Sequence, residues 1–179
     1  MTEEADAQEL RFLKIVHDHG NTVLKYIQNR HFSSDAVDAE DLLADVLATA
    51  WRCLDDVPIG AEAPWLIGVA RHRLMNAHSR SQRRYRIASR MHPRASSPSA
   101  EDVALADLSI RRALSRLPER EREALTLTAW EGLSPRELAV ALGISMNAAS
   151  VRLSKAKSHL LKLLGEQTES SSPIANHKE

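Results

Sequence analysis

The run Ser134-Pro135-Arg136-Glu137, followed by Gly143-Ile144-Ser145, confines the folding of this chain more than any other feature. A serine with a glutamate three residues later forms a capping box, in which each side chain satisfies a backbone N–H of the first helical turn. Pro135 then falls at the first helical position, where its missing N–H costs nothing. Gly143 supplies the left-handed residue that ends a short helix, because side-chain-bearing residues resist that conformation. Ser145 is placed to cap a second helix, in which Ala149, Leu153, Ala156, Leu160 and Leu163 recur at spacings of four and three. Ala139, Leu142, Ile144 and Ala149 are expected to pack these helices together. A short helix, a tight glycine-containing turn and a longer helix read as a helix-turn-helix.

The rest of the chain is also patterned for helices. Aromatic residues make up only 4% of the 179 residues and there are six glycines, so Leu, Ala, Val and Ile must supply the core. That composition favours an all-α fold over a sheet. Leu10, Leu13, Val16, Val23, Leu24 and Ile27 suggest two helices over 8–30, interrupted at Gly20-Asn21. Residues 38–54 read as one strong helix. A loop containing Pro58 and Gly60 follows. Pro64 then opens a helix with Leu66, Ala70, Leu74 and Ala77 on one face. Residues 89–101, with Pro93, Pro98 and several serines, read as a flexible linker. Beyond it, helices are expected through Leu105–Leu117 and from Glu119 to just before Gly132. The expectation is two small helical domains, 8–88 and 102–164, with a disordered tail over 165–179.

Charge divides the chain sharply although its net value is zero. Residues 1–62 carry a net charge of −8 and residues 63–100 a net charge of +8, the latter with no acidic residue at all. Such asymmetry points to one surface for an acidic polymer and another for a different partner. Arg71, Arg73, Arg80, Arg83, Arg84, Arg86, Arg90 and Arg94 form the basic segment, and clustered guanidinium groups neutralise phosphates with release of counterions. On the helix after Ser145, Asn147 and Ser150 are short polar groups able to approach base edges. Arg152 and Lys155 reach phosphate or base acceptors, and Lys157 suits the backbone. Trp65 admits two readings, a core residue or a base-stacking platform. Asp38, Glu40, Asp41 and Asp45 would repel nucleic acid. Beside them Leu42, Leu43, Val46 and Leu47 form a broad apolar surface, suited to a basic protein partner. The alternative is that the leucines are all core and the acids only complement a helix N-terminus.

Several function classes lack the residues they need. No nucleophile with a base, no phosphate loop and no paired-carboxylate cleft is evident, so neither enzyme nor cofactor is expected. Cys53 is the single cysteine and is read as a buried thiol, which excludes an internal disulfide. No metal-ligand spacing links the histidines, and His17, His19, His72, His78 and His92 read as scattered surface residues rather than a pH sensor. The apolar runs are too short to span a membrane. The acidic N-terminus lacks a secretory pattern, which places the protein in the cytoplasm.

Three stretches carry a resemblance to a known family: DAEDLLADVLATAWRCLDD at 38–56, PWLIGVARHRLMNAHSRSQRR at 64–84, and ALSRLPEREREALTLTAWEGLSPRELAVALGISMNAASVRLSKAKSHL at 113–160. Together they resemble the extracytoplasmic-function (ECF) group of sigma-70-type RNA polymerase sigma factors. The resemblance implies a region 2 domain that binds core RNA polymerase at the clamp helices of its largest subunit, and that recognises and melts the −10 element of promoter DNA. It implies a region 4 domain that binds the beta flap and reads the −35 element. Carried over, Asp41, Leu42, Asp45 and Leu47 stand on docking positions. The 54–63 loop with Arg71, His72, Arg73, Asn76, Arg80, Arg83 and Arg84 would face the −10 DNA. Asn147, Ser150, Arg152, Lys155 and Lys157 would face the −35 DNA. An anti-sigma factor is implied as a further partner.

The chain departs from the family pattern in places. Ala44-Asp45 replaces a frequent Gln-Glu, His72 a frequent Asn and Asn76 a frequent Asp. The recognition helix reads Ala148-Ala149-Ser150-Val151-Arg152 where Thr-Val-Lys-Ser-Arg is common. Two alternatives stand beside a sigma factor. One is a helix-turn-helix regulator acting without core polymerase, for which a dimerisation helix would be expected; the other is a sigma-like scaffold that binds protein alone.

Overall fold

The computed structural model describes residues 2–30, 38–89 and 105–170, all helical apart from short connections. The described residues divide into two compact units. One comprises the first three helices together with the segment Ala139–Ile144; the other comprises the remaining helices.

In the first unit, α1 (Thr2–Gln28), α2 (Ala39–Arg52) and α3 (Glu62–Ser89) pack pairwise on one another. Ile15, Val23, Tyr26 and Ile27 of α1, Leu42, Val46 and Ala50 of α2, and Leu66, Ile67 and Ala70 of α3 form the core. Burying each larger aliphatic side chain contributes about 1.5–3 kcal/mol. Glu40 and Asp41 in the first turn of α2 and Arg52 in its last turn complement the helix dipole. A 3-10 turn, Leu54–Asp56, follows α2 and sinks Leu54 and Val57 into the same core.

The expected break at Gly20 is absent, and α1 is one continuous helix. A glycine inside a helix costs only about 1 kcal/mol, and here Gly20 is buried, with the position of a Cβ 3.8 Å from Val16. Packing of the stripe from Ile15 to Ile27 outweighs the local cost. Continuity also fixes which residues face outward: Leu10 is 68% and Leu13 53% exposed, so these two apolar positions lie on the outer face. Cys53 caps α2 and is half-buried rather than buried, because the helix ends as it reaches the surface. Trp65 is likewise half-buried.

The second unit contains α4 (Leu105–Arg116), α5 (Glu119–Trp130), the start of α6 (Pro135–Leu142) and α7 (Met146–Ser170), with α7 packed on α5 and α4. Ala113, Leu117, Ala124, Leu125, Leu127, Leu133, Leu138, Leu153 and the small residues Ala149 and Ala156 are buried. Two polar contacts tie α7 down: His159 Nδ1 lies 2.6 Å from Glu121 Oε2, and Arg116 pairs with Glu166 at 3.5 Å. The expected disorder from residue 165 is corrected accordingly, since α7 continues to Ser170. Half-buried Leu163 and Leu164 and the Arg116 contact to Glu166 carry the helix past Gly165. Residues 171–179 lie outside the described residues. So does the expected linker, apart from Ser89 at the end of α3.

Candidate nucleic-acid interface

The caps and the turn of the helix-turn-helix form as their residues dictate. The Glu137 carboxylate accepts hydrogen bonds from the Ser134 backbone N–H at 2.8 Å and the Ser134 hydroxyl at 2.7 Å, while the Glu137 N–H donates to Ser134 Oγ at 3.3 Å. The Ser134 hydroxyl and N–H together hold the Glu137 carboxyl below the usual glutamate range. A depressed carboxylate pKa stabilises the fold above the ordinary carboxylate range, and that contribution is lost as pH falls through the folded value. Ser134→Ala is therefore expected to cost about 1 kcal/mol of stability and to remove the hydroxyl's part of the acid sensitivity, the backbone N–H bond to Glu137 remaining. Thermal unfolding followed between neutral pH and the acid range checks both. At the other end of α6, Gly143 has φ +63°. Its N–H donates to the Val140 carbonyl, and the Ile144 N–H donates to that of Ala139, the paired bonds of a Schellman stop. Ser145 Oγ then accepts the Ala148 N–H at 3.2 Å to start α7.

Each residue turns about 100° around a helix, so the burial of Ala149, Leu153 and Ala156 defines the outer strip of α7. Asn147 and Lys155 lie on that strip and are exposed. Ser150 and Lys157 flank it on one side. Arg152 lies on the opposite flank and is half-buried. The five expected contacts are thus spread over more than one groove-facing strip. The centre of the strip is Val151, 46% exposed, together with Ser154. Sequence reading passed over Val151 because it is apolar, yet its register between Asn147 and Lys155 was the available signal. An apolar side chain there suits a thymine methyl group.

On α2, Asp41 and Asp45 are exposed on one strip with Ala44, Ala48 and Arg52. Leu42 is only 4% exposed and belongs to the core, and Leu47 is half-buried at the edge. The exposed face is therefore a pair of carboxylates around two alanines, which permits close approach of a partner backbone.

On α3, His72, Asn76 and Arg80 are exposed. Trp65 lies on the same side as His72 and Asn76, seven and eleven residues before them. Arg71 is half-buried and already engaged in an interaction. Arg73 is half-buried as well: its guanidinium donates to Thr49 Oγ1 on α2 at 2.8 Å, tying the two helices together. The side chains of Arg83, Arg84 and Arg86 lie outside the described residues, as do Arg90 and Arg94 entirely. The loop before α3 presents Ile59, 88% exposed, beside Gly60 at φ +77°. Among the described residues no group of His, Cys, Asp and Glu is arranged to hold a metal ion. Among them, too, no helix is long and apolar enough to cross a membrane.

An all-helical chain with an acidic helix face, an arginine-bearing helix and a helix-turn-helix defines a class of transcription protein. Comparison with known proteins gives the family. Residues 15–85 match the family model for sigma-70 region 2, and residues 107–160 match that for sigma-70 region 4. The chain is 27% identical over 169 residues to the RNA polymerase sigma factor NccH of Alcaligenes xylosoxydans xylosoxydans, covering 89% of this chain and 90% of that one. It is 29% identical over 155 residues to the ECF RNA polymerase sigma factor SigL of Mycobacterium tuberculosis, covering 83% and 86%. Among solved structures, that of CnrH in complex with the cytosolic domain of CnrY is similar at a TM-score of 0.51 and 26% identity, over 90% of this chain and 89% of that one. The chain belongs to the sigma-70 family of RNA polymerase sigma factors, in its ECF group. It directs RNA polymerase to promoters and is not an enzyme.

Proposed function

We propose that the two helical parts divide promoter recognition between them. The part spanning about 8–88 docks on core RNA polymerase and reads the −10 element, and the part spanning about 102–164 reads the −35 element. Asp41 and Asp45, with Ala44 and Ala48 between and beside them, form the docking face for the clamp helices of the largest subunit. Leu42 supports that face from the core, and Leu47 borders it. His72, Asn76 and Arg80 of α3 face the opened −10 strand together with the 54–63 loop, and Arg83 and Arg84 are further −10 contacts by their place in the sequence alone. Arg71 and Arg73 position this surface from its half-buried side. Asn147, Val151 and Lys155 enter the −35 major groove, with Ser150, Arg152 and Lys157 along its walls, and the beta flap holds the same part of the chain. Residues 89–101 connect the two.

The observation that carries this reading is the segregation of charge: exposed carboxylates on α2 and an arginine-rich stretch over 63–100 that holds no acidic residue. A basic protein and a polyanion cannot share one surface, and this chain supplies two. An anti-sigma protein is proposed as a further partner, consistent with the complex that the related CnrH forms with a cytosolic protein domain. The cytoplasm, where core polymerase resides, is the proposed location.

Titrating holoenzyme with −35 duplex at several salt concentrations tests the α7 assignment. Changing Lys155 and Lys157 to glutamine is expected to lower the log–log salt slope by about one for each residue that meets a phosphate. An unchanged slope in the double variant would remove both from the interface.

A further inference from the structure

A single exposed isoleucine is ordinary on a protein surface; what distinguishes Ile59 is its mount. On one side Val57 is 2% exposed and anchors the loop in the core. The Arg11 guanidinium of α1 reaches across and donates to the Val57 carbonyl at 2.7 Å. On the other side the Ala61 N–H closes on the Pro58 carbonyl at 3.1 Å, and the Ala61 carbonyl accepts the Trp65 N–H at 3.2 Å as α3 begins. The Glu62 carboxylate accepts the Gly60 N–H, with Arg11 of α1 nearby as a favourable charge. Gly60 turns through φ +77°, a conformation closed to β-branched residues, so the turn is fixed by residue type as well. The loop is thus held at both ends while Ile59, stiff at χ1, projects with 88% of its surface in water.

We propose that Ile59 is a specificity-determining residue of the −10 site, packing on the C5-methyl of a thymine in the opened strand, and that Arg11 positions it from α1. This rests on the assignment of the 54–63 loop to the −10 element made above. The chemistry follows from what Ile59 lacks: it has no donor or acceptor, so among the bases it favours the one carrying an exposed methyl group. Electrostatics orient the strand in the same sense. Asp55 and Asp56, both exposed in the 3-10 turn before the loop, repel phosphates. The exposed Arg80 attracts them along α3. The sugar-phosphate chain therefore runs on the α3 side with the base edge toward the loop. Arg11 touches no DNA in this arrangement and acts only through the Val57 carbonyl.

The test uses holoenzyme and fork-junction DNA whose opened strand is first selected from a randomised pool. Probes are then made with thymine or uracil at each selected thymine. Wild-type holoenzyme is expected to bind thymine about fourfold more tightly than uracil at one position, the effect of one buried methyl. Ile59→Ala should abolish that ratio and Ile59→Val should retain most of it. Arg11→Ala should shrink the ratio while affinity for core polymerase stays as in wild type, a combination that a merely destabilised protein would not give. Equal binding of thymine and uracil at every position, or an Ile59→Ala protein that keeps the ratio, would overturn the role of Ile59. A ratio untouched by Arg11→Ala would overturn that of Arg11. Selection of no sequence at all in the opened strand would overturn the −10 assignment of the loop, and the inference with it.

Discussion

Replacing Asp41 and Asp45 together by lysine is expected to lower the affinity for core RNA polymerase by roughly a hundredfold or more, the scale on which charge reversal at a complementary interface acts. Both carboxylates are exposed on one strip of α2, with Ala44 and Ala48 leaving the backbone open to a partner between them. Neither is required by the core, which α2 supplies through Leu42, Val46 and Ala50. The double variant should therefore fold, with some loss at the helix N-terminus, where Asp41 complements the dipole. Binding measured with labelled core enzyme, alongside circular dichroism, separates the two effects. Unchanged core affinity in a folded double variant would show that the docking surface lies elsewhere. Higher salt should weaken the wild-type interaction and leave the residual binding of the variant less affected.

The second large effect is on stability. Leu66 is completely buried on α3, in the core shared with α1 and α2. Leu66→Ala should cost about 3 kcal/mol through lost transfer energy and the cavity left behind. For a unit of this size that corresponds to a fall in Tm of roughly 10–20 °C. Leu10→Ala is the control. Leu10 is as apolar in sequence but 68% exposed, and its removal should change stability by no more than about 0.5 kcal/mol. Differential scanning fluorimetry of the two variants compares them directly. Similar losses in both would mean that the outer face of α1 is covered.

The contrast between Leu66 and Leu10 also shows where the sequence was legible. Local chemistry with a single structural outcome could be read directly: the Ser134–Glu137 box, the Gly143 stop and the Ser145 cap all depend on neighbours within four residues, and all form. The helix expected over 38–54 followed from periodicity and forms over Ala39–Arg52, with Leu54 passing into a 3-10 turn; the one expected from Glu119 to just before Gly132 forms over Glu119–Trp130. Gly20 was misread because its cost as a helix residue is small and is set against packing that involves other helices. The outward place of Leu10 and Leu13 could not be read either, since the face of a long helix is chosen by its partners. The end of α7 meets Arg116, fifty residues away in sequence.

The site was legible in its charges and less so in its geometry. Residue type pointed to Asp41 and Asp45 as a protein-facing pair and to Asn147 and Lys155 as DNA-facing groups, the family resemblance added His72 and Asn76, and all six are exposed. Arg73 looked like one more phosphate ligand, but its bond to Thr49 is a long-range contact that composition cannot reveal. Ile59 and Val151 were passed over because apolar residues are assigned to cores by default. Their exposure in the folded chain identifies them as surface groups.

Run-off transcription from a genomic promoter library, with core polymerase alone and with this protein added, tests the central claim most directly. The expected result is a set of new start sites that appear only with the protein, sharing an upstream −35 element and a −10 element at fixed separation. Core enzyme that binds the protein yet yields no new start sites would contradict a division of promoter recognition between its two helical parts.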